Sequence, residues 1–163
     1  MSTQRMTTTG LDAVTDHLEG FGVPYEVVEH PETMSAGEEA VATHRSREQV
    51  AKTVFVRDAT GYVLAAVPAS HRLDLHKLRE LLGTGRILRL ATETEIARDF
   101  PALEVGAAPP FGPMLPHAEV IDRRLLDEER ILCAGGDHRH AVLVDPREVV
   151  RITGARVADI CED

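Results

Sequence analysis

Two β-rich runs, residues 49–57 and 62–67, are separated only by Asp58-Ala-Thr-Gly61. So short a connection, with glycine at its end, predicts an antiparallel hairpin. The rest of the chain has to pack against that ribbon. On one side, His30-Pro31 breaks a strand-like stretch at residues 24–29. On the other, Asp74 is placed to cap a helix in which Leu75, Leu78 and Leu82 share a face and Gly83 ends the run.

Helical signals recur at intervals. Thr9 is placed to cap a helix over residues 11–19, with Leu11, Val14 and Leu18 at helical spacing and Gly20 and Gly22 after it. Ser35-Ala-Gly-Glu38 and Thr92-Glu-Thr-Glu95 are capping-box patterns, opening helices that stop near Thr43 and Pro101. Pro146 suits the first position of a last helix. Short strands are predicted at residues 86–90, 119–121, 130–133 and 141–144. Strands and helices are interspersed without a strict βαβ rhythm, which predicts an α+β fold with a mixed sheet and flanking helices.

At 163 residues the chain is expected to form one domain over residues 1–163, with 1–8 frayed. Acidic residues outnumber basic ones 27 to 18, so binding to nucleic acid through bulk charge is excluded and no DNA partner is expected. A local basic pocket that grips one end of an RNA stays open. The longest apolar run, residues 62–69, is far short of the ~20 residues that span a bilayer. Two cysteines, Cys133 and Cys161, cannot build a disulfide framework. A cytoplasmic protein without a membrane partner is expected.

Three features can carry chemistry. Lys52, one of only two lysines, sits in Val50-Ala-Lys-Thr-Val-Phe-Val56 among apolar neighbours. A partly desolvated ammonium there binds phosphate or polarises a carbonyl; the plainer alternative is an outward-facing residue on an alternating strand. The segment Gly106-Ala-Ala-Pro-Pro110-Phe-Gly112 combines close backbone approach with a frozen path, suited to aiming N–H groups at a carbonyl oxygen or simply to turning a corner. Cys133-Ala-Gly-Gly-Asp-His138-Arg-His140 invites zinc, but three potential ligands in one short stretch lack a second motif, so no metal and no cofactor is expected. The better reading is a Gly135-Gly136 turn offering N–H donors and an imidazole to a pocket. No serine-hydrolase elbow, P-loop or dinucleotide fingerprint is present.

Taken in order, these segments resemble the YbaK/EbsC family, the prolyl-tRNA-synthetase-associated editing domains. The resemblance runs from Val23-Pro-Tyr25-Glu-Val-Val-Glu-His30 through Ser35-Ala-Gly-Glu-Glu-Ala40, Gln49-Val-Ala-Lys52-Thr53, Ala65-Ala-Val-Pro-Ala69 and Leu73-Asp-Leu-His-Lys-Leu78. It continues to the Gly106-x-x-x-Pro110 loop with Phe111-Gly112, the Ala134-Gly-Gly136 turn and the last helix. It implies hydrolysis of wrongly charged aminoacyl-tRNA, typically tRNA for proline, without a metal or a protein nucleophile. Lys52 and Gly106 take the catalytic positions. Thr53, Tyr25, His30, Ala107, Ala108, Pro110, Gly135, Gly136, His138 and His140 are the implied substrate contacts. The acidic residue that cysteine-clearing members carry beyond the glycine turn is replaced here by Ala141 or its neighbours. His138 or His140 stands where alanine-editing members carry histidine, which points to alanine or another small amino acid. The implied partners are the acceptor end of an aminoacyl-tRNA and a synthetase. The alternative from another class is a catalytically silent tRNA- or synthetase-binding module of the same fold.

Overall fold

The computed structural model describes residues 9–83, 85–111 and 118–163. The expected fraying of residues 1–8, and the part of the proline-rich loop at Gly112 and Pro113, lie outside them. The hairpin is the centre of the molecule: β2 (Ala51–Asp58) pairs antiparallel with β3 (Gly61–Pro68) along its full length. The turn is closed by the Asp58 carboxylate, which accepts the Thr60 and Gly61 N–H groups.

Around the hairpin a five-stranded mixed sheet forms in the order β4-β2-β3-β5-β8, with β4 at Arg89–Leu90, β5 at Ala118–Asp122 and β8 at Arg156–Ala158. Strand β5 runs parallel to both β3 and β8. A three-stranded antiparallel sheet in the order β1-β7-β6 adds Tyr25–Glu29, His140–Val144 and Ile131–Ala134. A parallel bridge between Val50 and Leu132 joins the two sheets. The mixed α+β class read from the sequence is therefore the fold, and its strands divide between two sheets. Strand β8 carries no sequence signal of its own. It forms because β5 offers it an edge.

Among the described residues five α-helices flank the sheets: α1 (Gly10–Gly20), α2 (Ala36–Ala42), α3 (Leu75–Leu82), α4 (Glu93–Asp99) and α5 (Pro146–Thr153). Most of the predicted caps are made. The Asp74 carboxylate accepts from the His76 and Lys77 N–H groups, and the Thr92–Glu95 box closes in both directions. Ser35 Oγ accepts from Glu38 N–H, but Glu38 returns to Met34 N–H instead of closing a full box. Thr9 precedes α1 in an extended conformation and its hydroxyl makes no cap. Gly154, at φ +68°, ends α5 in the left-handed conformation.

One core fills the space between the sheets and α1 and α5, with Val14, Leu18, Phe111, Ile121, Ile131 and Val142 among its members. A second lies on the other face of the hairpin, where Val56, Val63, Val67 and Leu78 meet Ile160 and Cys161. Both fix the hairpin in place. No helix among the described residues is long and apolar enough to cross a membrane.

Candidate active site

Strand β2 is covered by β3 on one edge, but on the other it is paired with β4 only at Val56 and Arg57. At its far end the chain turns toward β6 through the Val50–Leu132 bridge. Between those two attachments the Phe55 carbonyl accepts from Ala91 N–H, the edge from Ala51 to Val54 has no strand partner among the described residues, and a cavity of about 250 Å³ opens along it. That is room for roughly eight waters at liquid density, the scale of a small acyl group with its sugar.

The cavity is built from five pieces of chain. Lys52 and Thr53 come from β2, Ala36 and Glu39 from α2, and Leu90, Ala91 and Ile96 from β4 and the start of α4. Gly106, Ala107 and Ala108 supply the loop wall, closed by Ala134, Asp137 and His138. Its walls are mostly small and apolar. Its polar groups sit on opposite elements.

Lys52 is half-buried, and its Nζ donates to the His71 carbonyl at 3.3 Å. Burial holds its pKa below the ordinary lysine value. Next to it, the Thr53 hydroxyl is buried with no hydrogen-bond partner.

Gly106 adopts φ +87°, a conformation that costs an L side chain about 1–2 kcal/mol, so glycine is the natural occupant. The Ala107 N–H is used internally, donating to the Glu104 carbonyl at 3.0 Å. Those of Gly106 and Ala108 donate to no acceptor among the described residues. Two free backbone donors one residue apart on a cavity wall are the raw material of an oxyanion site.

The Gly135-Gly136 turn does not supply further donors, which corrects the expectation from sequence. Gly135 N–H donates to the His140 carbonyl and Gly136 N–H to the Ala107 carbonyl, both at 2.9 Å. The glycines are there for backbone contact. A β-carbon at Gly135 would meet the His140 oxygen at 2.7 Å, and one at Gly136 would meet the Gly10 carbonyl carbon at 2.6 Å. The turn joins the Gly106–Ala108 loop to β7 and lies against Gly10 at the start of α1.

The two histidines after that turn separate. His138 lines the cavity, its N–H held by Glu104 Oε1 at 2.9 Å and its carbonyl accepting from Thr33 N–H. His140 is turned away, its Nδ1 2.9 Å from the Asp137 carboxylate and its Nε2 3.6 Å from Glu29. Cys133 is fully buried in the core. Cys133, His138 and His140 therefore do not converge, and among the described residues no group of His, Cys, Asp and Glu is placed to hold a metal.

Of the remaining expected contacts, His30 stands behind the cavity wall: its Nε2 is 3.0 Å from Glu39 Oε2, and its Nδ1 donates to the Pro31 carbonyl at 2.7 Å. Tyr25 is outside the cavity and donates to Glu19 at 2.6 Å. Pro110 is buried beside the loop without reaching the lining. Neither cysteine offers a thiolate nucleophile. Burial holds the Cys133 thiol well above its usual range and pushes Cys161 up to about 12.

Sequence reasoning missed Glu39. Its signal was present: in Ala36-Gly-Glu-Glu-Ala40, position 39 shares a helical face with two alanines, so a carboxylate falls where an apolar side chain is expected.

Residues 30–152 match the family model for the aminoacyl-tRNA editing domain. No curated protein sequence matches the chain at a significant level. Among solved structures, a candidate trans-editing enzyme for prolyl-tRNA synthetase is similar at 33% identity and a TM-score of 0.84, covering 97% of this chain and 100% of that one. A structure from a study of epitope grafting onto scaffold proteins has 33% identity and a TM-score of 0.83, over 94% of this chain and 97% of the other. The hypothetical protein APE2540 follows at 29% identity and a TM-score of 0.79, over 89% and 96%. With three-quarters of its length matched by the family model and its whole fold shared with these structures, the chain belongs to the aminoacyl-tRNA editing domain family.

Proposed function

We propose that the protein is a trans-acting hydrolase of mischarged aminoacyl-tRNA, acting in the cytoplasm on tRNA for proline that carries alanine or another small amino acid. The observation that carries this reading is convergence. Lys52 and the Gly106–Ala108 loop, 54 positions apart between Lys52 and Gly106, both line one small cavity.

The substrate is an ester between an aminoacyl group and the terminal ribose. Its hydrolysis needs a positioned oxygen nucleophile and a stabilised oxyanion. The free N–H groups of Gly106 and Ala108 are donors for the carbonyl oxygen as it gains charge. Lys52, desolvated and tethered through His71, supplies a compact positive charge for the ribose or terminal phosphate. No side chain attacks: with both thiols buried, the nucleophile in this reading is water, oriented by the substrate's own hydroxyl. Alanine side chains at 36, 107, 108 and 134 favour a small acyl group and limit a larger one by collision. His138 rather than His140 is then the histidine that meets the acyl group.

Only the acceptor end has to enter, which suits a chain of formal charge −9. The test is deacylation of purified tRNAs charged with alanine, serine, cysteine or proline. Hydrolysis of alanyl-tRNA for proline with sparing of the prolyl form is the expected result. Binding without hydrolysis of any of them would establish the silent module instead.

A further inference from the structure

Glu39 is 96% buried, yet it lines the cavity with one carboxylate oxygen uncommitted. Oε2 is engaged by His30 Nε2 at 3.0 Å, while Oε1 has no hydrogen-bond partner among the described residues. The other charged groups of the cavity do not complete it. Lys52 Nζ is directed to the His71 carbonyl, the Asp137 carboxylate is taken by the His140 ring and the Arg139 N–H, and Glu93 is exposed on the first turn of α4. The carboxylate is withdrawn from bulk solvent, but its free oxygen opens on the cavity, where a proton donor or a cation can reach it.

We propose that Glu39 is a substrate-binding residue whose free Oε1 receives the α-ammonium of the aminoacyl group, with His30 as the positioning residue that holds the carboxylate in place. The inference rests on the editing reading of the same cavity and adds to it the group that recognises the amino acid's nitrogen.

The chemistry is matched on both sides. An aminoacyl ester carries its ammonium on the carbon next to the ester carbonyl, so one small cavity must hold an anion and a carbonyl-binding site together. Glu39 on α2 and the Gly106–Ala108 amides are those two sites. His30 Nδ1 donates to the Pro31 carbonyl, which leaves Nε2 to share a proton with Glu39 and fixes which oxygen is engaged. Burial raises the Glu39 pKa, and the His30 ring, with His138 across the same cavity, opposes that rise, so an arriving ammonium meets a carboxylate that gains from positive charge.

Two non-hydrolysable ligands test this directly: 3′-alanylamido-3′-deoxyadenosine and its 3′-propionylamido counterpart, which lacks only the amine. Calorimetric titration of the wild-type protein should show the alanyl compound binding at least tenfold tighter. Glu39→Gln, checked for folding by thermal melt, should bind both alike, near the wild-type affinity for the propionyl compound. Equal wild-type affinities, no binding of either ligand, or a Glu39→Gln variant that keeps the preference would overturn the proposal. The wild-type comparison needs no variant, and it needs no turnover. Failure of hydrolysis is therefore seen separately, in the tRNA panel.

Discussion

Gly106 and His138 meet at van der Waals distance in the cavity wall: a β-carbon on Gly106 would lie 3.4 Å from His138 Cε1. The loop and the turn after β6 are thus positioned close to each other, and a methyl group at 106 would fill the space between them in ordinary contact with the imidazole. Gly106→Ala should strain a backbone at φ +87° by about 1–2 kcal/mol and lower Tm by roughly 3–6 °C. It should also set a methyl group and a strained backbone in the cavity wall, so that kcat/KM for alanyl-tRNA falls more than tenfold in protein still fully folded at the assay temperature. Unchanged kcat/KM would make the loop a connector.

Lys52 gives the opposite pattern. Its ammonium makes one long hydrogen bond, to His71, and is held half-buried at a cost in solvation. Lys52→Met should leave Tm unchanged or raise it, while lowering kcat/KM by roughly 100-fold or more. Lys52→Arg should recover little, since a planar guanidinium does not fit where a compact charge is tethered. Retention of most of the rate by Lys52→Met would reduce Lys52 to a strand residue.

Gly136 separates structure from catalysis. A methyl group there enters the Gly10 backbone, which has no side chain to move aside. Gly136→Ala should cost roughly 3 kcal/mol, near 10 °C in Tm, with any residual activity tracking the folded fraction. A variant that melts normally yet is inactive would return the Gly135-Gly136 turn to the catalytic machinery.

Glu119 on β5 sets a pH dependence of stability that is unrelated to the cavity. Burial raises its pKa from 4.5 to about 8 against a smaller opposing effect of the Thr153 hydroxyl, and its Oε2 has no hydrogen-bond partner among the described residues. The folded state therefore keeps a proton that the unfolded chain releases above its ordinary carboxylate pKa. This contribution falls as pH rises from about 4.5 to about 8 and is level beyond, a loss of about 5 kcal/mol at most. Urea melts of wild type and Glu119→Gln from pH 4 to 9 should show the difference between them growing over that window. A constant difference would mean that Glu119 ionises in the fold as it does in the open chain.

Local structure was written into short stretches of sequence. The Asp58–Gly61 turn, the Asp74 and Thr92 caps, Pro146 at the head of α5 and the leucine face of α3 depend on neighbours within a few residues, and each formed as read. The strand context of Lys52 and the turn-rich character of residues 105–111 were legible for the same reason. What local pattern could not supply was the cavity. It exists because β2 leaves an edge uncovered between β4 and the Val50–Leu132 bridge, and pairing over such separations is decided by the packing of whole sheets. Tertiary structure also divided look-alike residues: His138 reaches the cavity while His140 turns to Asp137, and the Gly135 and Gly136 amides are consumed by neighbouring carbonyls while those of Gly106 and Ala108 meet no acceptor among the described residues. Glu39 shows the same division. Its identity and helical spacing were in the sequence, but the His30 ring nine residues back, the burial and the one open oxygen arise only when α2 packs against the edge of β2.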